Sequence, residues 1–441
     1  MKKILVIGAG RSAYTLIRYL LNESMSNDWK VTVADYNLDL AKNICLEHIN
    51  SRPIFFNVND QQQRENEIKN SDIVVSMLPA SLHALVANDC ILLKKNLVTA
   101  SYVSDEIQKM SDAAKSNNLI FLNEVGLDPG IDHMSAMKII DNLKQNGAEI
   151  LSFKSYCGGL VHPEFDNNPW NYKFTWNPRN VVLAGKGTSK FLNEKKICEL
   201  EYNNLFNETE IINILDQGDF ESYANRDSLS YISSYGLEEI ETMYRGTLRK
   251  VGFSISWNSF IKLGMTNDTY RIEDSENLSY YNFIDLLLPK SSKSLEERFC
   301  EFLSINIVSQ EFKKFKWLDL FTDKIIGLKN ATPAQILQKI LEDKLSLESK
   351  DKDMVVMQHQ FLYKIDSKVK KLHSSLVVFG DDQQNTAMAK TVGLPVAISV
   401  KLILNGTIKL RGVHIPTKKE IYDPILEELA KNEINFIEEL I

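Results

Sequence analysis

The chain has 441 residues, of which 44% are hydrophobic, and it carries a formal net charge of −7 at pH 7. This length exceeds what one hydrophobic core usually supports, so we expect two or three domains in a globular protein. The acidic balance and the lack of a sizeable basic cluster argue against nucleic acid as a partner.

Cysteine usage and the apolar stretches favour a cytoplasmic protein with no signal peptide and no membrane partner. The five cysteines form no Cys-x-x-Cys pair, which is typical of free thiols in a reducing compartment. The longest apolar stretch, residues 391–400, is bounded by Lys390 and Lys401 and contains Pro395, so we expect it not to span a bilayer. The seven histidines are scattered without ligand spacing, so we expect no metal.

The first apolar run, residues 3–7, leads directly into a glycine-rich turn and an amphipathic helix. The turn is Gly8-Ala9-Gly10-Arg11-Ser12-Ala13. In a G-x-G-x-x-A turn the first glycine makes a tight bend, the second lets backbone N–H groups approach a pyrophosphate, and the small third residue allows close packing of helix and strand. The pattern predicts a dinucleotide site, and a turn that joins strand to helix without any ligand is the alternative.

The second predicted strand, residues 29–34, ends at Asp35, at the spacing where dinucleotide-binding folds place a ribose-binding carboxylate. A carboxylate there accepts hydrogen bonds from a ribose 2′-hydroxyl and repels a 2′-phosphate. We therefore expect NAD to be preferred over NADP, although Lys42 or Arg52 could reach a phosphate. A solvated loop carboxylate is the alternative interpretation of Asp35.

Four further apolar runs follow, at residues 54–57, 72–78, 97–101 and 119–123, with helical patterns at 41–48, 81–93 and 104–117. Such runs are typical of a parallel sheet that is buried on both faces, and the alternation predicts the doubly wound strand order 3-2-1-4-5-6. Ligands bind at the carboxyl ends of such strands. Further candidate coenzyme-binding residues at the strand ends are Asn57, Val58, Ser76, Leu78, Pro79, Ala100 and Val125.

The rest of the chain predicts a second α/β region followed by helices. Residues 149–253 show short mixed strands, residues 280–347 are helical by pattern, and Thr332-Pro333 forms an N-cap and first-turn pair. Residues 355–363 and 375–380 are predicted paired strands of the second sheet. Helices are predicted over 385–404 and 418–431.

Several segments, collinear over some 400 residues, resemble the saccharopine dehydrogenase family, in its glutamate-forming branch. They are Asp128-Pro129-Gly130-Ile131-Asp132-His133-Met134, Cys157-Gly158-Gly159-Leu160, Tyr172-Lys173-Phe174-Thr175-Trp176, Asn225-Arg226-Asp227-Ser228, Arg245-Gly246-Thr247-Leu248-Arg249, Ala387-Met388-Ala389-Lys390-Thr391-Val392-Gly393-Leu394-Pro395 and Arg411-Gly412-Val413-His414-Ile415-Pro416-Thr417.

This resemblance implies a Rossmann domain over residues 1–130 and a mixed-sheet substrate and dimerisation domain over 131–280 and 350–384. It also implies a helical subdomain over 281–349, C-terminal helices over 385–441 that return to the Rossmann domain, and a homodimer. The implied reaction is reversible, NAD(P)-dependent oxidation of saccharopine with water to glutamate and 2-aminoadipate 6-semialdehyde.

The resemblance further implies that a small amino-acid substrate is bound by Ser101, Tyr102, Asp128, Arg226, Arg245, Thr247, Leu248 and Arg249. Arginine suits the three carboxylates of saccharopine because a guanidinium pairs with a carboxylate in bidentate geometry. Pairing of these arginines with internal acids such as Asp227 or Glu241 is the alternative.

Asp128 and Cys157 are the candidate catalytic residues. A carboxylate with an ordinary pKa of about 4 is a weak base at neutral pH, so positioning of an ammonium group is favoured for Asp128. Because hydride transfer needs no covalent enzyme intermediate, packing or lining of the substrate pocket is favoured for Cys157. His133, at the start of an apolar helix, is favoured as a structural residue.

Two departures from the family pattern bear on specificity. Fungal members of the family have a Cys-Arg pair after the second strand, where the arginine suits NADP, whereas this chain has Asp35-Tyr36. Trp170-Asn171 replaces the usual Leu-Gly, and we expect an altered pocket wall or dimer surface there. The alternatives to saccharopine oxidation are an imine-reducing enzyme of the carboxynorspermidine or homospermidine type and a non-catalytic dinucleotide sensor.

Overall fold

The computed structural model describes every residue from Met1 to Ile441, and the chain divides into two compact units. Unit 1 comprises Met1–Ile150, Ser234–Gly236 and Tyr363–Ile441, and unit 2 comprises Leu151–Ser233 and Leu237–Leu362. The first unit thus runs past the predicted domain boundary at residue 130, and it also takes up residues 363–384, which were expected in the substrate domain.

Strands and helices alternate over the first 150 residues. The strands are β1 (Lys2–Ile7), β2 (Trp29–Asp35), β3 (Ser51–Phe55), β4 (Ile73–Ser76), β5 (Asn96–Val98) and β6 (Ile120–Leu122). The helices are α1 (Tyr14–Asn27), α2 (Leu38–Cys45), α3 (Gln61–Lys69), α4 (His83–Leu93), α5 (Asp105–Gln108), α6 (Ser111–Ser116) and α7 (Ile131–Gln145).

The middle region, residues 149–365, begins and ends with a strand of 13 residues and has shorter strands between these two. Its strands are β7 (Glu149–Val161), β8 (Ser189–Asn193), β9 (Lys196–Leu200), β10 (Thr209–Asn213), β11 (Asp219–Ala224), β12 (Thr242–Lys250) and β13 (Asp353–Ile365). Its helices are α8 (Pro178–Val182), α9 (Tyr202–Leu205), α10 (Ser230–Ser234), α11 (Phe253–Lys262), α12 (Tyr280–Leu287), α13 (Leu295–Leu303), α14 (Gln310–Trp317) and α15 (Pro333–Leu345). The chain ends with β14 (Lys368–Phe379), α16 (Ala387–Leu404), β15 (Gly412–His414), α17 (Lys419–Lys431) and β16 (Ile437–Leu440).

The sheet of unit 1 is parallel and has the predicted doubly wound order. Its strands run β15-β6-β5-β4-β1-β2-β3, so the expected order 3-2-1-4-5-6 is confirmed. The inner strands β4 and β6 are buried along their whole length, and β1 is buried from Ile4 onward, which explains their nearly continuous apolar sequences; the edge strand β3 is partly exposed. The short strand β15 adds a seventh strand parallel to β6, in a segment that was predicted only as a connection between helices.

Local boundaries differ from the predicted ones where polar or proline residues interrupt the pattern. Strand β3 begins at Ser51 rather than at residue 54, because Pro53 is tolerated on an edge strand. The helix predicted over 104–117 is two helices: Ser104 caps α5, and α6 begins afresh at Ser111. The pattern over 81–93 begins as a 3-10 turn at Ala80–Leu82 before α4.

Unit 2 contains a mixed sheet with the strand order β10-β11-β12-β7-β13. Strand β11 is antiparallel to both β10 and β12, whereas β12 is parallel to β7. The helices of the 280–347 region form as predicted, and Thr332 caps α15 in a capping box with Gln335, ahead of Pro333 in the first turn.

Trp170 lies in the interior of unit 2, and the adjacent Asn171 is partly exposed. The Trp170 ring is 1% exposed, stacks on Phe260 with 5.3 Å between centroids, and donates a hydrogen bond to the Lys314 carbonyl oxygen. Asn171 adopts φ of 49°, a left-handed conformation that asparagine tolerates and glycine favours. Trp170 therefore fills a core rather than forming the altered pocket wall or dimer surface that we expected.

The helix α16 packs against α1 within unit 1. A Cβ on Gly393 would lie 3.0 Å from the Leu16 nitrogen and from the Ser12 oxygen, so glycine allows the close approach. By length and composition α16 could cross a membrane, contrary to the expectation from its apolar stretch alone, but 72% of it is buried. This burial is that of a core helix.

A polar network joins α1, α16 and α17 around Glu428. Its carboxylate accepts hydrogen bonds from the Tyr19 hydroxyl at 2.9 Å, from Lys401 at 3.0 Å and from Lys431 at 2.9 Å. Burial raises the pKa of Glu428, but the hydrogen bonds from Lys431, Lys401 and Tyr19 outweigh it and lower the pKa to about 2.

Candidate active site

The glycine-rich turn lies at the carboxyl end of β1 and has the form that the motif predicts. Gly8 has φ of 107°, and a Cβ there would lie 2.8 Å from the Met77 carbonyl oxygen, so only glycine fits. Gly10 is exposed with open space on its Cβ side. Arg11 and Ser12 continue in a 3-10 turn whose third residue, Ala13, is buried, and α1 follows without an acidic residue in its first turn. The turn can therefore receive a pyrophosphate.

Asp35, at the end of β2, is tied to this turn. Its carboxylate accepts a hydrogen bond from the Ala9 backbone N–H at 2.7 Å and another from the Asn37 backbone N–H at 2.7 Å. The side chain remains partly exposed. The adjacent Tyr36 is exposed and contacts the Phe55 ring. Asp35 is thus an organised element of the loop, which rules against the interpretation as a merely solvated carboxylate.

The cations that were considered for a 2′-phosphate differ in their surroundings. Arg52 donates to the Thr32 hydroxyl at 3.1 Å and forms a salt bridge with Glu67 on α3. Lys42 is an exposed residue of α2. Arg52 therefore already has an acidic partner.

A buried histidine connects the carboxyl ends of β4 and β5. His83 Nδ1 is 2.8 Å from the Ser76 hydroxyl oxygen, and His83 Nε2 is 2.7 Å from the Ser101 hydroxyl oxygen. Ser76 is fully buried and Ser101 is partly exposed. Burial lowers the pKa of His83 to about 4, so the imidazole is neutral at pH 7. The sequence prediction found both serines and missed the histidine between them.

The turn after β6 presents Asp128 at the start of α7. Gly130 has φ of 146°, and a Cβ there would lie 2.1 Å from the Gly126 carbonyl oxygen, so the turn can close only with glycine. Asp128, partly exposed, accepts a hydrogen bond from the Tyr102 hydroxyl at 3.2 Å. The structure therefore brings these two predicted substrate residues together.

Below this turn, His133 is fully buried between Glu124 and Tyr235. Its Nε2 is 2.9 Å from a Glu124 carboxylate oxygen, and its Nδ1 is 2.5 Å from the Tyr235 hydroxyl. The second Glu124 oxygen accepts the Val103 backbone N–H at 3.0 Å. This arrangement holds the backbone after β5 and β6 in place, in agreement with the structural role favoured for His133.

The remaining coenzyme candidates lie at the same edge of the sheet with unequal exposure. Pro79 is exposed, and Asn57, Leu78 and Ala100 are partly exposed. Val58 and Val125 are buried residues, so their side chains are not exposed to a ligand.

In unit 2, Arg245, Thr247 and Arg249 alternate along β12 and so share one face of the sheet. Thr247 pairs with Cys157 on β7, which places the cysteine beside this row. Leu248 lies on the opposite face with a fully buried side chain. Its predicted contribution to substrate binding stays a prediction, and this buried side chain leaves the backbone of Leu248 as the part that could make the contact.

Arg249 is a buried guanidinium surrounded by aromatic rings. Its central carbon lies 5.2 Å from the Tyr172 ring centroid, 5.8 Å from that of Tyr223 and 5.4 Å from that of Phe253. Nη1 donates to the Leu248 carbonyl at 2.8 Å, whereas buried Nε has no hydrogen-bond partner. Burial raises the pKa of Tyr172, so this hydroxyl is neutral. An incompletely paired buried cation is suited to an anionic group.

Arg245 and Arg226 are held by different means. The Arg245 guanidinium carbon lies 4.5 Å from the Tyr231 ring centroid, and its backbone N–H donates to the Ser228 hydroxyl. Arg226 follows β11 with φ of 52°. Glu241, considered as an internal partner, forms a salt bridge with Lys195.

The candidate substrate residues are divided between the two units. Ser101, Tyr102 and Asp128 belong to unit 1, and Cys157, Arg226, Arg245, Thr247, Leu248 and Arg249 belong to unit 2. No group of three or more histidine, cysteine or acidic side chains suited to a metal ion occurs in the structure.

The doubly wound sheet, the glycine turn and the carboxylate that anchors it define a dinucleotide-binding α/β protein with a second, mixed-sheet unit. Residues 4–122 match the model of the saccharopine dehydrogenase NADP binding domain, and residues 126–434 match that of the saccharopine dehydrogenase C-terminal domain. The chain belongs to the saccharopine dehydrogenase family.

Curated relatives agree over nearly the whole chain. The saccharopine dehydrogenase [NADP(+), L-glutamate-forming] of Pyricularia oryzae is 34% identical over 98% of this chain and 97% of its own length. The mitochondrial alpha-aminoadipic semialdehyde synthase of Mus musculus is 33% identical over 99% of this chain, which spans 47% of that longer protein. The solved apo structure of saccharopine dehydrogenase (L-Glu forming) from Saccharomyces cerevisiae matches with a TM-score of 0.90 and 32% identity, covering all of both chains.

Proposed function

We propose that this protein is an L-glutamate-forming saccharopine dehydrogenase, an oxidoreductase that acts on a CH–NH group. The observation that carries the proposal is the similarity to enzymes of this name, which runs through both units and almost the full length of the chain. The proposed reaction is saccharopine + NAD(P)⁺ + H₂O → glutamate + 2-aminoadipate 6-semialdehyde + NAD(P)H + H⁺. It belongs to lysine metabolism.

The glycine turn and Asp35 suit the dinucleotide. Gly10 has open space on its Cβ side, and the turn leads into the N-terminus of helix α1, which favours a negatively charged group. When bound, a nicotinamide coenzyme supplies the hydride acceptor for oxidation of the secondary amine to an imine. Water then adds to the imine carbon, and the bond between this carbon and the nitrogen breaks, which releases glutamate and 2-aminoadipate 6-semialdehyde.

The side chains of this protein bind and orient the amino-acid substrate in the proposed reaction. The Asp128 carboxylate, which accepts a hydrogen bond from the Tyr102 hydroxyl, would also accept one from an ammonium group of the substrate. The arginines of unit 2 suit carboxylates, and Arg249 has an unused buried N–H for one. Cys157 lines the same face of the sheet, and the reaction requires no covalent bond to it.

The coenzyme preference is a finer proposal. The matched family model and the fungal relatives carry NADP in their names. We propose that this chain nevertheless prefers NAD, because the Asp35 carboxylate is fixed beside the glycine turn and Arg52 already has an acidic partner. A 2′-phosphate would meet a negative charge here.

Three properties predicted from the sequence also remain proposals: a cytoplasmic location, a homodimer, and the absence of nucleic-acid and membrane partners. Size-exclusion chromatography with light scattering tests the homodimer directly. A mass of about twice the 50.4 kDa chain supports it, and a monomer contradicts it.

The test of the proposed function is the initial rate of absorbance change at the reduced-nicotinamide band, with saccharopine and either NAD or NADP. We expect turnover with glutamate as product and a higher kcat/KM for NAD. Absence of saccharopine turnover with both coenzymes contradicts the proposal. Activity with carboxynorspermidine or homospermidine would then favour the imine-reducing relatives, and thermal stabilisation by coenzyme without any turnover would favour a dinucleotide sensor.

A further inference from the structure

The hydrogen bonds of Ser76, His83 and Ser101 determine which imidazole nitrogen carries the proton. A neutral imidazole has one N–H donor and one acceptor nitrogen, and both nitrogens of His83 face serine hydroxyls. Two arrangements are therefore open, and they differ in the direction of every hydrogen bond in the chain.

The surroundings of Ser76 decide between the two arrangements. Its hydroxyl is fully buried, and His83 Nδ1 is the one hydrogen-bond partner it has in the structure. If Nδ1 carried the proton, Ser76 would accept it, and the buried Ser76 hydroxyl proton would have no acceptor, which is costly. Ser76 therefore donates to Nδ1, and the imidazole proton is on Nε2.

The direction of the second bond follows. His83 Nε2–H donates to the Ser101 oxygen, so the Ser101 hydroxyl proton is turned away from the histidine. Because Ser101 is partly exposed at the carboxyl end of β5, its proton is available to a ligand. Burial, which keeps the imidazole neutral at pH 7, preserves this polarity.

We propose that His83 is a positioning residue that makes Ser101 a hydrogen-bond donor to a carboxylate of the amino-acid substrate. This inference rests on the proposed function for the identity of the substrate. The direction of the hydrogen bonds is a property of the protein alone, and it can be measured without turnover.

The first test is the tautomer of His83 in the whole protein, by long-range ¹H–¹⁵N correlation on protein with labelled histidine at pH 7. The chain has seven histidines, and the signals that disappear in His83→Gln identify this ring. We expect a neutral ring with the proton on Nε2. A proton on Nδ1, or a doubly protonated ring, overturns the proposal.

The second test asks whether His83 acts through Ser101. We expect His83→Phe to raise the KM for saccharopine about tenfold, the size expected for loss of one oriented hydrogen bond to a charged group, and to change the Kd of coenzyme less than about twofold. In a Ser101→Ala background the same change should have no further effect on KM. Additive effects, or an equal loss of coenzyme binding, overturn the proposal.

Two further variants separate positioning from folding. His83→Gln retains a donor and an acceptor and should recover most of the KM, even if His83→Phe folds poorly. Ser76→Ala removes the hydroxyl that fixes the tautomer of His83, and it should raise the KM for saccharopine by less than His83→Phe does. A His83→Gln enzyme with a KM as high as that of Ser101→Ala contradicts the inference. Failure of the wild-type protein to oxidise saccharopine refutes the proposed function instead, and the tautomer measurement still decides the direction of the hydrogen bonds.

Discussion

Replacing Asp35 by asparagine is expected to shift the coenzyme preference toward NADP. Asparagine keeps one carbonyl oxygen, which can accept the Ala9 N–H that now bonds to the carboxylate, and it removes the negative charge. The substitution thus separates the charge of Asp35 from its support of the glycine turn. A larger change, Asp35→Ser with Tyr36→Arg, adds a cation for the 2′-phosphate and should shift the preference further.

The magnitude follows from the electrostatics of a partly exposed carboxylate. Two unit charges about 5 Å apart repel by about 0.8 kcal/mol in water and by about 3 kcal/mol at an effective dielectric constant near 20. The carboxylate of Asp35 is neither fully exposed nor buried, and a phosphate monoester carries more than one negative charge. We therefore expect the ratio of kcat/KM for NAD to that for NADP to fall by roughly tenfold to a hundredfold.

The assay compares initial rates with each coenzyme and, independently of turnover, the Kd of NADH and of NADPH by fluorescence titration. The matched control is Asp39→Asn, which removes the same charge from an exposed position in the first turn of α2. It should leave the ratio unchanged. The reasoning is refuted if Asp35→Asn changes the ratio less than about twofold, or if the wild-type protein itself prefers NADP.

Three other changes test the packing and the charges of the two units. Glu428→Gln should lower the free energy of unfolding by about 1–2 kcal/mol at pH 7, a value reduced for partial exposure. This difference should decrease as acidification from pH 4.5 toward 2 protonates the wild-type carboxylate, so urea unfolding should show a smaller difference at pH 3 than at pH 7. Gly130→Ala should unfold the turn that carries Asp128, whereas Gly147→Ala, also at positive φ but with open space around it, should cost only about 1 kcal/mol of stability. Equal melting temperatures of the two variants would contradict this contrast. Arg249→Lys should raise the KM for saccharopine at least tenfold with little change in the Kd of coenzyme, and equal losses of both would assign the arginine a purely structural role.

The sheet of unit 1 could be predicted because its inner strands β1, β4 and β6 are buried on both faces. Such strands have nearly continuous apolar sequences, so each leaves a local signal and the crossover rules then fix their order. Strand β15 has only three residues and gains its hydrogen bonds from β6, which lies far away along the chain. Its position depends on tertiary pairing, and no local pattern records it.

The candidate site shows the same division between local and distant causes. The glycine turn is local, and its strained backbone requires particular residues at particular spacings, so the motif predicts it. The aromatic surroundings of Arg249 combine Tyr172, Tyr223 and Phe253 from three separate segments. Spacing in the sequence cannot show that these rings meet around one guanidinium.

His83 shows what a strand-end analysis can add in future cases. The residue follows the Ser76-to-Pro79 strand end and opens a helix, so it belongs to the edge where a doubly wound sheet binds ligands. A polar, titratable side chain at the first residue of such a helix is a signal, although apolar neighbours on α4 make it resemble a core residue. The sequence could have flagged the position, but only the two short hydrogen bonds show which serines it connects.

These bonds make Ser76 and Ser101 dependent on each other, although the sequence predicted one for the coenzyme and the other for the substrate. Ser76 fixes the proton on the imidazole, and the imidazole fixes the direction in which Ser101 donates. A change at the buried serine is therefore expected to act on substrate binding at the exposed one. Because the connecting ring stays neutral at pH 7, this dependence is a matter of hydrogen-bond direction rather than of charge.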